Sequence, residues 1–286
     1  MMSIISIAGI PMEISSKAPF KITRRLKRFL SSETKQFGLK VSLGYSNNFQ
    51  LPGNAQIIDN MLYWSNGDKR DDEITIAICN PETNQVNDHL KVNKEWDNAV
   101  ITSRSHKRDV LYPFYESLGE IIFRNCLLFH HGIVIHAAAI ECDGLGLLFS
   151  APSGTGKTTQ ANLWKKYKKA KIINADRPAI RVIGSEPFVY GTLWNGSSKK
   201  CSNRSVPLSA IVLLEQCEQN IIYKLEKKEA IERLMPRCFL PYYQEDIMNL
   251  ALDNIEQIMN QTPVYLLKCR PDREAVELVY QCVKLN

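Results

Sequence analysis

The sequence is short of several things, and each shortage excludes a class of protein. None of its eight cysteines forms a C-x-x-C pair. Most lie inside apolar runs such as RNCLLF and LLKCR. A zinc ribbon or a disulfide framework is therefore set aside, and free thiols in a reducing cytoplasm are the expectation. No two of the five histidines share the i, i+4 spacing of a helical metal site. No apolar run approaches the roughly 18 residues that span a bilayer, so no membrane partner is expected. The start, MMSIISIAGIPMEI, lacks a basic n-region and a small-residue cleavage site. It reads as a first strand rather than a signal peptide. Charge of one sign is not abundant: 36 Lys plus Arg against 30 Asp plus Glu leave a formal +6. That excess suits phosphate-bearing ligands but falls short of a nucleic-acid footprint. Fourteen Gly and 13 Pro exclude a collagen-like or low-complexity chain. No internal repeat is visible.

What is present is a chain of 286 residues, which at roughly 150 residues per domain suggests about two domains. Residues 1–129 read as a smaller α+β domain without a chemical motif. Short strand-like runs (ISIAGI, LKVSLGY, MLYWS, ITIAICN) alternate there with Asn-rich polar stretches. A helix is expected over PFYESLGEIIFRNCLLF. Residues 130–286 have another grammar. GIVIHAAAIE reads as a strand, CDGLG as a turn, and LGLLFSA as a second strand. The run PSGTGKTT leads into the helix TQANLWKKYKKA. KIINAD, RPAIRVIG, EPFVYG, LSAIVLLEQ and VYLLKC read as further strands, and KKEAIERLM, DNIEQIMN and DREAVELVYQCVKL as helices. Strands and helices alternate, so this part is α/β.

Residues 151–158, Ala-Pro-Ser-Gly-Thr-Gly-Lys-Thr, fit the P-loop pattern G-x-x-x-x-G-K-[ST] at seven of eight positions. Ala151 replaces the first glycine. Gly154 and Gly156 would turn the backbone so that its amides form an anion cradle at a helix N-terminus. Lys157 would reach the β- and γ-phosphates, and Thr158 would place its hydroxyl on Mg²⁺. If Asp143-Gly144 is a two-residue turn, hairpin partners sum to 287 and His136 lies opposite Ala151. From there it would bond a phosphate or orient an acidic base. Asp176 ends KIINAD, 18 residues after Thr158. It would hold Mg²⁺ or take a proton from an acceptor hydroxyl. Arg177 is a further phosphate candidate. The lysines at 165–171 read as a solvated helix end. The basic segment 191–207, with Lys199, Lys200 and Arg204, reads either as a lid or as a plain surface loop. Trp194 would pack beneath it or stack on a base.

SGTGKTT at 153–159 resembles the kinase-1a loop of ATP-dependent phosphoenolpyruvate carboxykinases. The histidine strand, hairpin, loop and strand-end Asp together resemble HPr serine kinase/phosphorylase and the HPr-kinase-related proteins of bacteria. INADRPAIR, YGTLWNG, VPLSAIVLLEQ and CRPDREAVEL carry the likeness across about 130–286. The resemblance implies a P-loop domain of the phosphoenolpyruvate carboxykinase-like, HPr kinase C-terminal type. It implies ATP and Mg²⁺ as cofactors, with Ser153, Gly154, Thr155, Gly156, Lys157, Thr158 and Thr159 around the nucleotide. Thr158 and Asp176 would hold the metal, and His136, Lys157 and Asp176 would serve phosphoryl transfer. The acceptor would be a hydroxyl of a peptide, protein or small molecule. Relatives of this fold often assemble, which leaves a homo-oligomer possible and the oligomeric state open. Two departures bear on activity. HPr kinases carry consecutive acidic residues where this chain has Ala175-Asp176, and a Glu where it has Thr159. A catalytically impaired nucleotide-binding regulator or scaffold is the competing expectation. The chain is short for a carboxykinase, and the C-terminal phosphorylase segment of HPr kinase is not found.

Overall fold

The two patterns of hydrophobicity produce two architectures. In a computed structural model, the described residues are 1–32, 38–49, 51–58, 61–66, 73–196 and 201–284. The chain divides into two compact units. One comprises Met1–Phe129 with Tyr242–Glu245, the other His130–Pro241 with Asp246–Asn286. Among the described residues, no helix is long and apolar enough to cross a membrane.

The first unit is built on period-two alternation. Leu39, Val41 and Leu43 are buried and Lys40 and Ser42 exposed, which gives a sheet one wet and one dry face. The strands are β1 (Met2–Ile7), β2 (Ile10–Ser16), β3 (Leu39–Tyr45), β4 (Gln56–Ile57), β5 (Leu62–Ser65), β6 (Glu73–Cys79), β7 (Val86–Asn93) and β8 (Asn98–Ser103). They form one sheet in the order β1-β2-β3-β8-β7-β6-β5-β4. ISIAGI is not one strand. Ala8 and Gly9 take positive φ and turn β1 into β2. The expected long helix is broken into α1 (Tyr112–Glu116), α2 (Leu118–Cys126) and a terminal 3₁₀ turn.

The second unit holds β9 (Gly132–Val134), β10 (Ala137–Cys142), β11 (Leu145–Ser150), α3 (Lys157–Lys168), β12 (Lys171–Asn174), β13 (Ala179–Ile183), β14 (Glu186–Tyr190), β15 (Ser205–Gln216), β16 (Ile221–Lys224), α4 (Lys227–Leu234), α5 (Glu245–Gln261), β17 (Val264–Cys269) and α6 (Arg273–Lys284). It is mixed α/β. The long strand β15 pairs antiparallel with β14 at its start, and parallel with β11 and β17 further on. The hairpin β10–β11 has the register its turn dictates, with Cys142 opposite Leu145 and Ala137 opposite Ser150. Asp143 and Gly144 both have positive φ, the requirement of a two-residue primed turn.

GIVIHAAAIE is two strands rather than one. Its backbone changes partners at Ile135 and His136. The Ile135 amide donates to Pro178 O and the His136 amide to Arg237 O. β9 therefore continues along β13, while β10 joins β11 and β12. Trp164 on α3 is buried against Phe149 of β11 and Tyr280 of α6. Truncating so buried an aromatic to alanine costs about 3–5 kcal/mol. Lys168, expected in solvent, instead clamps α3 to α6 through Glu277 at 2.6 Å.

Candidate active site

Three parallel strands end side by side and deliver the loops of the site. β11 ends at Ser150, β15 at Gln216 and β17 at Cys269. The crevice beyond the carboxyl ends of parallel strands is where α/β sheets bind ligands. Residues 151–156 run from β11 to the first turn of α3. Gly154 and Gly156 have φ of +80° and +120°. No Cβ would clash at either position, so backbone conformation, not space, demands glycine there. Ala151 keeps a negative φ and is buried, which is why alanine serves at this position. Ser153, Gly154, Thr158 and Thr159 are exposed, and Thr155 and Gly156 are half-buried.

Lys157 is only 7% exposed. Its Nζ donates to Ala151 O at 3.0 Å and to Pro152 O at 3.2 Å, the carbonyls of its own loop. Among the described residues it makes no ion pair. Burial pushes its pKa below the ordinary lysine value; the charge of Asp176 opposes this, and Arg237 adds to it. An ammonium buried on two carbonyls is a cation awaiting a stronger counter-charge.

Asp176 follows β12. His136 Nε2 lies 3.4 Å from its Oδ1, and Arg177 Nε 3.3 Å from its Oδ2. The bond from His136, and then the charges of Arg177, His136 and Lys157, hold its carboxyl below the usual range despite burial. His136 is itself fixed. Its carbonyl accepts Ser150 Oγ at 2.9 Å, its amide donates to Arg237 O at 2.7 Å, and Phe239 meets its ring edge-on. Arg177 lies over the same Phe239 ring at 5.2 Å. His136, Lys157 and Asp176 are thus brought to one place.

Asn174 was missed by sequence reasoning, yet it builds this corner. It is fully buried. Its Oδ1 accepts the amides of Asp176 at 2.9 Å and Arg177 at 2.8 Å. Its Nδ2 lies within bonding distance of Thr192 O, Thr192 Oγ1 and Trp194 O. Thr192 Oγ1 in turn donates to Arg177 O at 2.6 Å. The one sequence signal was a polar residue ending an apolar run two positions before an Asp, the pattern of an Asx turn. Arg237 was missed too. It is the last residue of the 3₁₀ turn after α4, and its charge acts on Lys157.

The segment 191–207 is buried at its start and exposed at Asn203, Arg204 and Ser205. Thr192, Leu193, Trp194 and Asn195 are all buried. Trp194 is packed inside and presents no face to a base. Arg204 pairs with Glu141 at 3.0 Å. Lys199 and Lys200 lie outside the described residues. Gly196 has φ +52°, and a Cβ there would stand 2.5 Å from Asp176 Oδ2. Ala175, beside Asp176, is buried and brings no carboxylate of its own.

Two cavities meet at Gly154 and Thr155. One of about 970 Å³ is lined by Thr159, Gln160, Cys217, Cys269 and Arg270. The other, of about 750 Å³, is lined by Ala151, Ser153, Glu232, Arg233 and Arg237.

No curated protein matches the chain. Among solved structures, the HPr(Ser) kinase/phosphatase from Coxiella burnetii is similar over 53% of this chain and 88% of its own, at 12% identity and a TM-score of 0.31. The family model for the SynChlorMet cassette protein ScmC matches residues 102–272, more than half of the chain's 286 residues, and the chain belongs to that family.

Proposed function

We propose that the chain is an ATP-dependent kinase that moves the γ-phosphoryl group to a hydroxyl of a peptide, protein or small molecule. The observation that carries this reading is the buried ammonium of Lys157. It is stored on the loop's own carbonyls, within the field of the Asp176 carboxylate. Phosphoryl transfer is mostly positioning and charge neutralisation, and these are the groups for it.

The amides of residues 154–158 cradle the phosphates at the start of α3. Lys157 exchanges two neutral carbonyls for charged phosphate oxygens, and charge-assisted bonds are roughly twice as strong. Asp176 stays ionised throughout the neutral range, because its neighbours lower its pKa. It accepts the acceptor's proton late, as the oxygen–phosphorus bond forms and the bond to ADP breaks. His136 and Arg177 hold the two carboxylate oxygens in place.

Among the described residues, no group of three or more His, Cys, Asp or Glu could hold a metal ion. Mg²⁺ does not need one, since it is usually held by one or two carboxylates together with substrate phosphates. Thr158 and Asp176 fit that requirement. Bound there, Mg²⁺ would supply neutralisation of the phosphate oxygens.

The test is transfer of label from [γ-³²P]ATP to free serine and to serine-containing peptides. Wild type should label an acceptor. Asp176→Asn should bind ATP and label nothing. A second reading is favoured by buried Ala175, which leaves one carboxylate where two stand in HPr kinases. It describes a nucleotide-binding regulator without transfer chemistry. In that case Asp176→Asn leaves function in cells intact, while Lys157→Ala abolishes it.

A further inference from the structure

After α4 the chain returns to the end of β9 and pairs with it briefly. The His136 amide donates to Arg237 O at 2.7 Å, and the Phe239 amide donates to Val134 O at 3.0 Å. Between them Ile135 and Cys238 form an antiparallel bridge. In such a pair, residues directly opposite share a face and successive residues alternate. Ile135 and Cys238 therefore turn to one face, and both are buried there. His136, Arg237 and Phe239 turn to the other. Cys238 and Leu240, the two neighbours of Phe239, are buried, while Phe239 itself is half-buried. The ladder thus fixes the backbone of Phe239 and aims its side chain at the face that carries His136.

The ring meets two groups there. It stands at 65° to the His136 ring, with centroids 6.5 Å apart. The Arg177 guanidinium carbon lies 5.2 Å from its centroid. An aromatic ring attracts a cation over its face and a second ring edge-on. These two partners are the residues that hold the two oxygens of Asp176, at 3.4 Å and 3.3 Å. One ring therefore touches both supports of one carboxylate. We propose that Phe239 is a positioning residue for Asp176, acting through His136 and Arg177. Its part in phosphoryl transfer rests on the kinase reading above; its part in orienting Arg177 does not. Arginine is long and rich in rotamers, so one contact with Asp176 leaves the plane of the guanidinium free to turn. A flat aromatic face removes that freedom. Leucine would keep an apolar side chain at this place but has neither a flat face nor a quadrupole. Tyrosine keeps both.

The experiment compares Phe239→Leu and Phe239→Tyr in the full chain, with two readouts. Phe239→Met, closer in volume, takes the place of the leucine variant if that one does not fold. The first readout is the heteronuclear NOE of the Arg177 Nε–Hε signal in ¹⁵N–¹H spectra, assigned by its loss in Arg177→Lys. It reports fast motion of the side chain and needs no activity. Wild type should show a rigid Arg177. Phe239→Leu should bring the NOE down to that of exposed arginines such as Arg24, and Phe239→Tyr should retain it. The second readout is steady-state transfer of label from ATP. Phe239→Leu should lower kcat about tenfold, since slight misplacement of a reacting group is costly, and leave KM for ATP unchanged. Phe239→Tyr should restore most of the rate. The proposal is overturned if the Arg177 NOE is the same in wild type and Phe239→Leu, if Phe239→Tyr loses as much as Phe239→Leu, or if only KM changes. If wild type labels no acceptor, the kinase reading falls, and the NOE alone decides whether Phe239 positions Arg177.

Discussion

Replacing Asn174 by alanine removes the clamp at the end of β12. Two backbone donors, the amides of Asp176 and Arg177, lose their acceptor, and Thr192 and Trp194 lose a donor. An unsatisfied buried donor costs about 1–3 kcal/mol. Two such donors cost about 2–6 kcal/mol, and because the turn is half-buried, water recovers part of this. The expected loss is about 3 kcal/mol. With a urea dependence of about 2 kcal/mol/M, the midpoint falls by about 1.5 M. Urea unfolding followed by tryptophan fluorescence reads this, since Trp164 and Trp194 are both buried in the second unit. Because the chain has two units, their transitions must be fitted separately. The same variant should lose phosphoryl transfer, because Asp176 and Arg177 are no longer oriented. A midpoint shift below about 0.5 M with transfer intact would refute the reasoning.

Three other outcomes are expected. Asp176 has a lowered pKa in the fold, so its ionised form contributes stability above the unfolded value of about 3.9, and loses it as pH falls through the folded value. Thermal melts should show a constant advantage of wild type over Asp176→Asn from pH 7 to about 5, shrinking only below about 4; a loss already at pH 6 would contradict this. Lys157 has a pKa lowered by burial, so its charged form costs stability below its folded pKa, and the cost is relieved as pH rises through it. Lys157→Met should therefore be as stable as wild type or more so at pH 7, and a loss above about 1 kcal/mol in urea would show that the two carbonyl bonds outweigh the burial. Gly196→Ala places a Cβ against the Asp176 carboxylate at a positive φ. It should cost about 1–2 kcal/mol in backbone strain and lower kcat much more than it changes KM for ATP; steady-state kinetics decide, and an unchanged kcat would contradict it.

The local signals in the sequence were readable where neighbours along the chain decide the structure. Asp143-Gly144 set the hairpin register because a two-residue turn leaves one pairing. The strand, Gly-rich loop and helix at 145–168 followed from periodicity and glycine placement. What was not readable depends on distant partners. GIVIHAAAIE breaks because Pro178 and Arg237 capture the amides of Ile135 and His136, and no pattern within the run announces that. Asn174 matters through Thr192 and Trp194, and Arg237 through Lys157. The sheet of the first unit pairs β3 in parallel with β8, across more than 50 residues of sequence, a choice that alternation alone leaves open. Trp194 was open between packing under its segment and stacking on a base; it packs, because the bonds of Asn174 to Thr192 and Trp194 draw the start of that segment inward.

The most direct test of the account is calorimetric titration of Mg·ATP into wild type and into Lys157→Ala. Losing a charge-assisted contact of about 1.5–3 kcal/mol should weaken binding by more than tenfold. Binding by wild type together with that loss is the predicted result. Equal affinity in the two proteins, or no binding of Mg·ATP by wild type, would contradict the claim that residues 151–158 hold a nucleotide.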